Sequence, residues 1–374
     1  MPDIEILINK IIAGDSQFFP ETGFEKARLF HESMPEYEKT PLLFLPALAA
    51  SLGVAAVFVK DESKRFGLNA FKALGAAYAV SEVIKKEGVP EAFVTATDGN
   101  HGRAVAWAAK RVKSKSFVFM PEGSKACRVR AVEEIEGALV TVTDMNYDDT
   151  VRMASAFARE NGFCLLQDTG FEGYREIPEN IALGYSTMAA EALAQMEEYG
   201  FNRPTHVFLQ AGVGSMAAGV AGFIAGRFKG DIPHISVIEA FDTACIFESA
   251  KAGVPVAAGG GSKTIMAGLN CGEPNIYALP VLTFLAQAFF KCSDKITKTG
   301  MKRLANPLGD DPRIVSGESG AVGAGLLISL NDEEYMDFRN KISLNKDSVV
   351  LLFSTEGDTD KDNYNEITGG DLND

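Results

Sequence analysis

Short apolar segments that alternate with helix-length segments restrict the fold of this chain more than any other feature of its sequence. Strand-like segments occur at Ala55–Val59, Ala92–Ala96, Ser116–Met120, Ala138–Thr143, Phe163–Gln167, His206–Gln210, Ile235–Glu239 and Val349–Ser354. Alternation of strands and helices is typical of a parallel sheet with helices packed on its faces. The sequence therefore predicts an α/β protein, and the later strands imply a second sheet or the remainder of the first.

Size and charge exclude several classes of protein. The chain has 374 residues, 46% of them hydrophobic, which is enough for two domains or one large α/β unit. Its net charge of -14 and isoelectric point of ≈ 4.9 oppose binding to nucleic acid or to an anionic membrane. It has neither a run of about 18 apolar residues nor a basic segment leading into an apolar run near Met1. We expect a cytoplasmic protein that binds neither nucleic acid nor membrane.

The cysteines do not indicate a metal site. Five cysteines accompany four histidines, and no two cysteines have the Cys-x-x-Cys spacing. We therefore expect no metal ion. Cys245 and Cys271 both fall in loop-like sequence, so a disulfide between them is an alternative to the expectation of buried thiols in a reducing compartment.

Lys72 lies in the first turn of a predicted helix. An apolar stripe with helical spacing runs from Ala76 to Ile84, and Gly88-Val89-Pro90 ends the helix. A cation at the start of a helix is disfavoured by the helix dipole. Lys72 is therefore either an ordinary solvent-exposed lysine or a catalytic residue, and the sequences of the neighbouring loops distinguish the two possibilities.

A glycine-rich loop follows the predicted strand His206–Gln210, at the edge of a parallel sheet where ligands usually bind. Residues 211–219 read Ala-Gly-Val-Gly-Ser-Met-Ala-Ala-Gly. Their backbone N–H groups can converge on a phosphate at a helix N-terminus. Ala217 stands where the G-x-G-x-x-G pattern requires glycine, and a dinucleotide is the alternative ligand.

Two further loops carry groups that suit an aromatic ligand. Residues 97–102, Thr-Asp-Gly-Asn-His-Gly, place a side-chain amide among small residues, and residues 354–360, Ser-Thr-Glu-Gly-Asp-Thr-Asp, place hydroxyls after the last predicted strand. The first loop can hold a ring hydroxyl and offer N–H groups to a carboxylate. An Asx turn in the first loop and a Ser/Thr turn in the second are the ordinary alternatives.

Together these segments resemble the fold type II, or tryptophan-synthase-β-like, family of enzymes that use pyridoxal 5'-phosphate (PLP). The resemblance extends from about Phe30 to about Asp360 and is most specific at residues 60–72 and 167–178. Within the family the chain looks like the ammonia-lyases that act on 2,3-diaminopropionate. The resemblance implies two open, mostly parallel, twisted sheets flanked by helices. It also implies a large domain of residues 1–75 and 182–374, a small domain of residues 76–181, an active site between them, and a homodimer.

The family pattern assigns roles to individual residues. Lys72 would hold the cofactor covalently, Asn100 would bind its ring hydroxyl, and Ser354 would face its pyridine nitrogen. The phosphate would lie on the backbone of Gly212, Val213, Gly214, Ser215 and Met216 and on the Ser215 hydroxyl. A neutral hydroxyl at the ring nitrogen makes the cofactor a milder electron sink, which favours elimination over transamination.

Two aspartates point to a diamino acid as substrate. Related dehydratases have a small residue in place of Asp98, and a carboxylate beside the cofactor is costly unless it binds a cation or takes part in catalysis. Lys72 can remove a proton only from the ring face that it occupies, so Asp98 is the predicted base for a substrate of opposite chirality. Asp168 is predicted to recognise the β-ammonium, with a helix cap as the alternative. Thr97 and His101 complete the predicted substrate site, with Tyr174 and Glu176 as looser candidates.

These roles imply the α,β-elimination of ammonia from both enantiomers of 2,3-diaminopropionate, which yields pyruvate and two ammonia. A serine or threonine dehydratase, or another lyase of the same family, is the nearest alternative. A non-catalytic nucleotide-binding protein built on a similar sheet is the alternative from a different class.

Overall fold

Two sheets flanked by helices form the part of the chain that the computed structural model describes, residues 2–9, 19–135, 137–259 and 264–369. The strands are β1 (Ile4–Ile8), β2 (Leu42–Phe44), β3 (Ala56–Asp61), β4 (Ala92–Ala96), β5 (Lys115–Met120), β6 (Ala138–Val142), β7 (Cys164–Leu165), β8 (His206–Gln210), β9 (His234–Ala240), β10 (Ala288–Cys292) and β11 (Val349–Ser354). The helices are α1 (Glu21–Glu32), α2 (Pro46–Leu52), α3 (Lys72–Glu87), α4 (Asn100–Arg111), α5 (Ala126–Glu133), α6 (Tyr147–Asn161), α7 (Glu176–Glu198), α8 (Ser215–Arg227), α9 (Cys245–Ala252), α10 (Ala278–Leu285), α11 (Asp294–Ala305), α12 (Glu318–Ser329), α13 (Met336–Lys341) and α14 (Lys361–Thr368). The predicted α/β class is confirmed.

The larger sheet has seven strands in the order β1-β10-β9-β8-β11-β3-β2. Its five inner strands pair in parallel, and the edge strands β1 and β2 pair antiparallel with β10 and β3. Strands buried on both faces by helices need continuous apolar runs, and the run Val349–Phe353 at the centre of this sheet is one. The carboxyl ends of β8, β11 and β3 therefore meet at one edge.

The smaller sheet has four strands in the order β6-β5-β4-β7, all parallel. All four lie between residues 92 and 165, and the strands of the larger sheet lie outside this interval. The predicted domain boundary between residues 75 and 76 falls inside α3. The domain limits themselves stay a prediction.

Helices α3 and α8 both pack against α7, and in each case a glycine allows a close main-chain contact. A Cβ atom added at Gly184 in α7 would lie 2.6 Å from the carbonyl oxygen of Leu74 in α3. One added at Gly219 in α8 would collide with the carbonyl oxygen of Ala182 in α7. The main chains of α3 and α8 are thus both packed directly on α7.

Several elements depart from the predicted pattern. The sequence predicts a helical lead-in over residues 1–40, whereas β1 forms an edge strand there, and α1 is the only helix among the described residues of this segment, 2–9 and 19–40. Likewise, a turn from Thr40 into an apolar helix is predicted, but β2 pairs with β3 before α2 begins. Strand β10 is not predicted from the sequence, because a short apolar run is compatible with either a strand or a helix.

The acidic tail also contains more structure than its composition predicts. The sequence shows no apolar periodicity over residues 357–374, yet α14 forms within it and buries Tyr364 and Ile367 on one face. The composition also predicts that the last several positions of this tail are frayed, and residues 370–374 lie outside the described residues.

Candidate active site

A cleft with ≈ 830 Å³ of empty space lies where loops from both sheets meet. The smaller sheet contributes Thr97–His101 after β4 and Asp168 after β7, and the larger sheet contributes Gln210–Met216 after β8 and Thr355 and Glu356 after β11. Lys72, at the start of α3, also lines the cleft. The cleft therefore lies beyond the carboxyl ends of parallel strands, where ligands bind in such sheets.

Lys72 is the first residue of α3, and its amine points into the cleft. The amine nitrogen Nζ lies 2.5 Å from Oδ2 of Asp168 and 5.8 Å from the ring centroid of Tyr185. The preceding loop contains Phe66 and Asn69 with positive φ angles of 50° and 56°, a conformation that is unfavourable for a bulky residue such as phenylalanine and more readily adopted by asparagine. This loop brings Lys72 to the cleft wall.

The pair of Lys72 and Asp168 is strongly charged although it is buried. Burial lowers the pKa of Lys72, but the carboxylate of Asp168 outweighs burial and holds that pKa above its ordinary value. Burial raises the pKa of Asp168, but the Lys72 charge outweighs it and lowers the pKa of this carboxyl to about 2. Asp168 is therefore an ionised ammonium acceptor at neutral pH.

The glycine-rich loop forms a concave end of the cleft at the N-terminus of α8. Gly214 has a φ of 100° and directly precedes the helix, which begins at Ser215. The Ser215 hydroxyl donates to the backbone oxygen of Asp168 at 2.5 Å and accepts from Asn275 Nδ2 at 2.8 Å. The loop after β8 and the loop after β7 are thus joined at the predicted phosphate site.

The loop after β4 carries Asp98, Asn100 and His101 on the cleft wall. The Thr97 hydroxyl accepts from the backbone N–H groups of Gly99 and Gly102 at 2.9 and 3.0 Å and so fixes the start of α4. Asn100 Nδ2 donates to Glu356 Oε2 at 2.5 Å. Because an ionised carboxylate only accepts, this bond sets the orientation of the Asn100 amide.

His101 is buried beside Asp168. Its Nε2 contacts the backbone oxygen of Leu166 at 2.9 Å, and its Nδ1 lies 4.0 Å from Asp168 Oδ2. Burial lowers the pKa of His101 more than the Asp168 charge raises it. His101 is therefore neutral at physiological pH.

Not all the predicted residues reach the cleft. Ser354 ends β11 and donates to the Ser316 hydroxyl at 2.8 Å, while its neighbour Thr355 lies on the cleft wall. Tyr174 donates to the backbone oxygen of Leu165 at 2.9 Å, and Glu176 pairs with Lys86 on the surface. Neither of these looser candidates is among the described residues that line the cleft.

Sequence reasoning missed several charged or polar residues on the cleft wall, among them Arg128, Tyr147 and Glu356. Tyr147 accepts from Gln167 Nε2 at 3.1 Å, and Glu356 accepts from Asn100. Arg128 belongs to the short helix α5, whose other arginine gives no hint of which one faces inward. Of these three residues, only Glu356 lies in a segment that the sequence identifies as part of the site, residues 354–360 after β11.

The cysteines are free thiols, so the alternative of a disulfide between Cys245 and Cys271 is not found. Cys245 Sγ instead contacts the backbone oxygen of Gly212 at 3.8 Å. Over the described ranges, no group of His, Cys, Asp or Glu is placed to hold a metal ion. Within these same ranges, no helix is both long and apolar enough to cross a membrane.

The chemistry of the cleft wall fits PLP. An amine that can bind an aldehyde stands on this wall, which also carries a glycine-lined helix N-terminus that can bind a phosphate. His101 Nδ1 and Gln210 Oε1, both buried there, have no hydrogen-bond partner among the described residues and can bond to a ligand.

Comparison with known proteins agrees with this chemistry. The family model for pyridoxal-phosphate dependent enzymes matches residues 34–355. A diaminopropionate ammonia-lyase of Escherichia coli strain K12 is 45% identical over 383 residues, which cover 97% of this chain and 96% of that protein. A crystal structure of the Escherichia coli lyase with an aminoacrylate-PLP azomethine reaction intermediate has a TM-score of 0.92 at 45% identity and covers 98% of this chain and 96% of that one. The complex of the Escherichia coli lyase with D-serine has a TM-score of 0.91 at 44% identity, with the same coverage.

Proposed function

The chain belongs to the family of pyridoxal-phosphate dependent enzymes, and within it to the group of the diaminopropionate ammonia-lyases, and we propose that it eliminates ammonia from both enantiomers of 2,3-diaminopropionate. One observation carries this proposal: Lys72, Asp98 and Asp168 line the same cleft. These residues provide two bases and an acceptor for a second ammonium.

PLP is the cofactor of this family. When bound, it takes up the electron pair that remains at Cα after the α-proton has left, and this makes the proton removable. The protein must bring a base to that proton and hold the substrate in place. Lys72 Nζ is the base for the L-isomer, because it reaches the cleft from the start of α3.

Asp98 is the base for the D-isomer. Two enantiomers held through the same carboxylate and α-nitrogen present their α-protons to opposite sides, so one base cannot serve both. The complex of the Escherichia coli lyase with D-serine supports a site of this kind that accepts a D-amino acid. In the chain, Asp98 follows β4 of the smaller sheet and Lys72 begins α3, so the two side chains reach the cleft from different elements.

Asp168 binds the β-ammonium of the substrate. It already holds an ammonium group, since Lys72 Nζ lies 2.5 Å from its Oδ2. The low pKa of Asp168, about 2, keeps the carboxylate ionised, and its burial strengthens the attraction to a cation. This preference for a second cation separates a diamino acid from serine and threonine, which carry a neutral hydroxyl there.

The remaining predicted residues hold the cofactor and the substrate carboxylate. Asn100 binds the ring hydroxyl through its oriented amide. Ser354, which bonds to Ser316 and directly precedes the cleft residue Thr355, is the proposed partner of the pyridine nitrogen. The backbone of Gly212–Met216 and the Ser215 hydroxyl bind the phosphate. Thr97 and His101 complete the wall against which the substrate carboxylate lies.

The products follow from the loss of two nitrogens. The β-ammonium, held by the Asp168 carboxylate, leaves Cβ as neutral ammonia that keeps its three hydrogens and takes the electron pair of the Cβ–N bond. The three-carbon product that remains is hydrolysed by water to pyruvate and a second ammonia. One diaminopropionate and one water thus give one pyruvate and two ammonia, and the atoms balance.

The variant Asp98→Asn tests the two-base proposal. We expect turnover of D-diaminopropionate to fall by about 10²- to 10⁴-fold, the usual effect of losing a general base, and turnover of the L-isomer to fall far less. Pyruvate release, measured with each enantiomer and with serine and threonine, provides the readout. Equal losses with the two enantiomers contradict the proposal, and faster turnover of serine or threonine would favour a dehydratase.

Lys72→Ala is the companion variant. It should lose the borohydride-reducible link between protein and cofactor, which mass spectrometry of the reduced protein detects. Retention of that link would remove Lys72 from the centre of the site.

We also propose a homodimer located in the cytoplasm. Both follow from the group to which the chain belongs, and sedimentation equilibrium of the purified protein measures the first directly.

A further inference from the structure

Arg128 lies beside the residue that follows Asp98. It belongs to α5 of the smaller-sheet region, is only 9% exposed and lines the cleft. A Cβ atom added at Gly99 would lie 3.2 Å from both Cβ and Cδ of Arg128. The arginine stem therefore rests on the main chain next to Asp98.

The guanidinium of Arg128 lies among several carboxylates. It lies 3.9 Å from Glu318 Oε2. Burial lowers the pKa of Arg128, but four carboxylates outweigh burial and hold that pKa above its ordinary value. In order of decreasing influence, these carboxylates are Glu356, Glu318, Asp98 and Asp360.

Lys72 and Arg128 are the two lysine or arginine side chains among the described residues that line the cleft. Asp168 and Glu356 are acidic residues of the same wall, and Lys72 Nζ is held by Asp168 Oδ2 at 2.5 Å. His101 is neutral, and burial raises the pKa of Tyr147 and of Cys271 well above its ordinary value, so neither adds a charge at neutral pH. A base must be unprotonated to act, and a neighbouring cation favours the unprotonated carboxylate.

We propose that Arg128 is a positioning residue that holds Asp98 ionised and oriented, and thereby determines how well the enzyme uses the D-isomer. This inference rests on the proposed function, because it takes Asp98 as the base for that isomer. Lys72 serves the L-isomer and pairs with Asp168 rather than with Arg128. The contribution of Arg128 is therefore selective for one enantiomer.

The test is the pH dependence of kcat/KM for each enantiomer with the holoenzyme of Arg128→Gln. For the D-isomer, we expect the acid limb to move up by about one pH unit, since an opposite charge nearby lowers a carboxyl pKa by roughly that much or more. Below the limb, this shift lowers kcat/KM by about tenfold. The profile for the L-isomer should keep its acid limb.

Two further variants separate this role from a structural one. Arg128→Lys retains the charge and should restore the acid limb for the D-isomer. Lys125→Met removes a neighbouring cation that pairs with Asp360, and it should leave the ratio of D- to L-isomer turnover unchanged.

Three results would overturn the inference. An unchanged D-isomer limb in Arg128→Gln means that Arg128 does not act on Asp98. An equal rise in KM for both isomers assigns Arg128 to the substrate carboxylate instead. Equal losses for both isomers in Asp98→Asn remove the proposed function itself, whereas a D-selective Asp98→Asn combined with a non-selective Arg128→Gln removes only the role of Arg128.

Discussion

Replacing Gly212 with alanine tests how closely the glycine-rich loop is packed. A Cβ atom at this position would lie 2.8 Å from the backbone oxygen of Gly268, 3.1 Å from Cys271 Sγ and 3.4 Å from Leu269 Cα. Two of these contacts are to main chain, which cannot move aside by a rotamer change. The loop after β8 must shift instead, and such overpacking costs roughly 1–3 kcal/mol.

Urea unfolding measures this cost, and cofactor titration measures its effect on the cleft. The shift carries the backbone N–H groups at the start of α8 away from the phosphate position. Loss of one hydrogen bond to a charged group costs roughly 1.5–3 kcal/mol, so we expect the Kd for PLP to rise by about tenfold to a hundredfold.

Gly226→Ala is the matched control, because Gly226 lies in the last turn of the same helix and an added Cβ meets nothing within 4 Å. This variant should gain about 0.5–1 kcal/mol of stability from the loss of a helical glycine and keep the affinity for PLP. If Gly212→Ala unfolds and binds PLP as the unmodified protein does, the assignment of this loop to the phosphate is refuted.

Two further predictions concern groups away from the cleft. Arg65→Met leaves the buried carboxylates of Glu62 and Glu191 without their main cation, so it should lower the free energy of unfolding by about 3–5 kcal/mol. Arg152→Met, which removes a surface ion pair, should change this free energy by about 1 kcal/mol or less. Thermal melts of the two variants compare these effects. Burial raises the pKa of Glu239 from 4.5 to about 8, although Ile246 and Phe247 donate backbone N–H groups to it. The native state thus retains a proton that the unfolded chain releases, so the free energy of unfolding should fall as pH rises from about 5 to 8. Urea unfolding across this range should show a smaller fall for Glu239→Gln, and an equal fall would contradict a buried protonated Glu239.

The roles of residues that belong to one contiguous segment could be predicted from the sequence. β4, β8 and β11 were predicted with the observed limits, because strands buried on both faces form continuous apolar runs that end in glycine or polar residues. The glycine-rich loop and the lysine at the start of α3 follow from local rules for helix starts and phosphate sites.

Residues that reach the cleft only through tertiary packing could not be predicted from the sequence. Arg128 is a charged residue in a short helix, and α5 reads as a solvated helix unless its position against Gly99 is known. The edge strands β1 and β2 were missed for a related reason: each is defined by the partner with which it pairs rather than by its own short sequence.

The glycine contacts of α7 have a consequence for residues far from the cleft. Lys72 stands at the start of α3 and the phosphate loop at the start of α8, and each of these helices has a main-chain contact with α7, at Gly184 and at Gly219. A side chain at either glycine would push one of the two helices away from α7. Helix α7 contributes none of the described residues of the cleft wall, yet its contacts help to set the distance between the start of α3 and the start of α8.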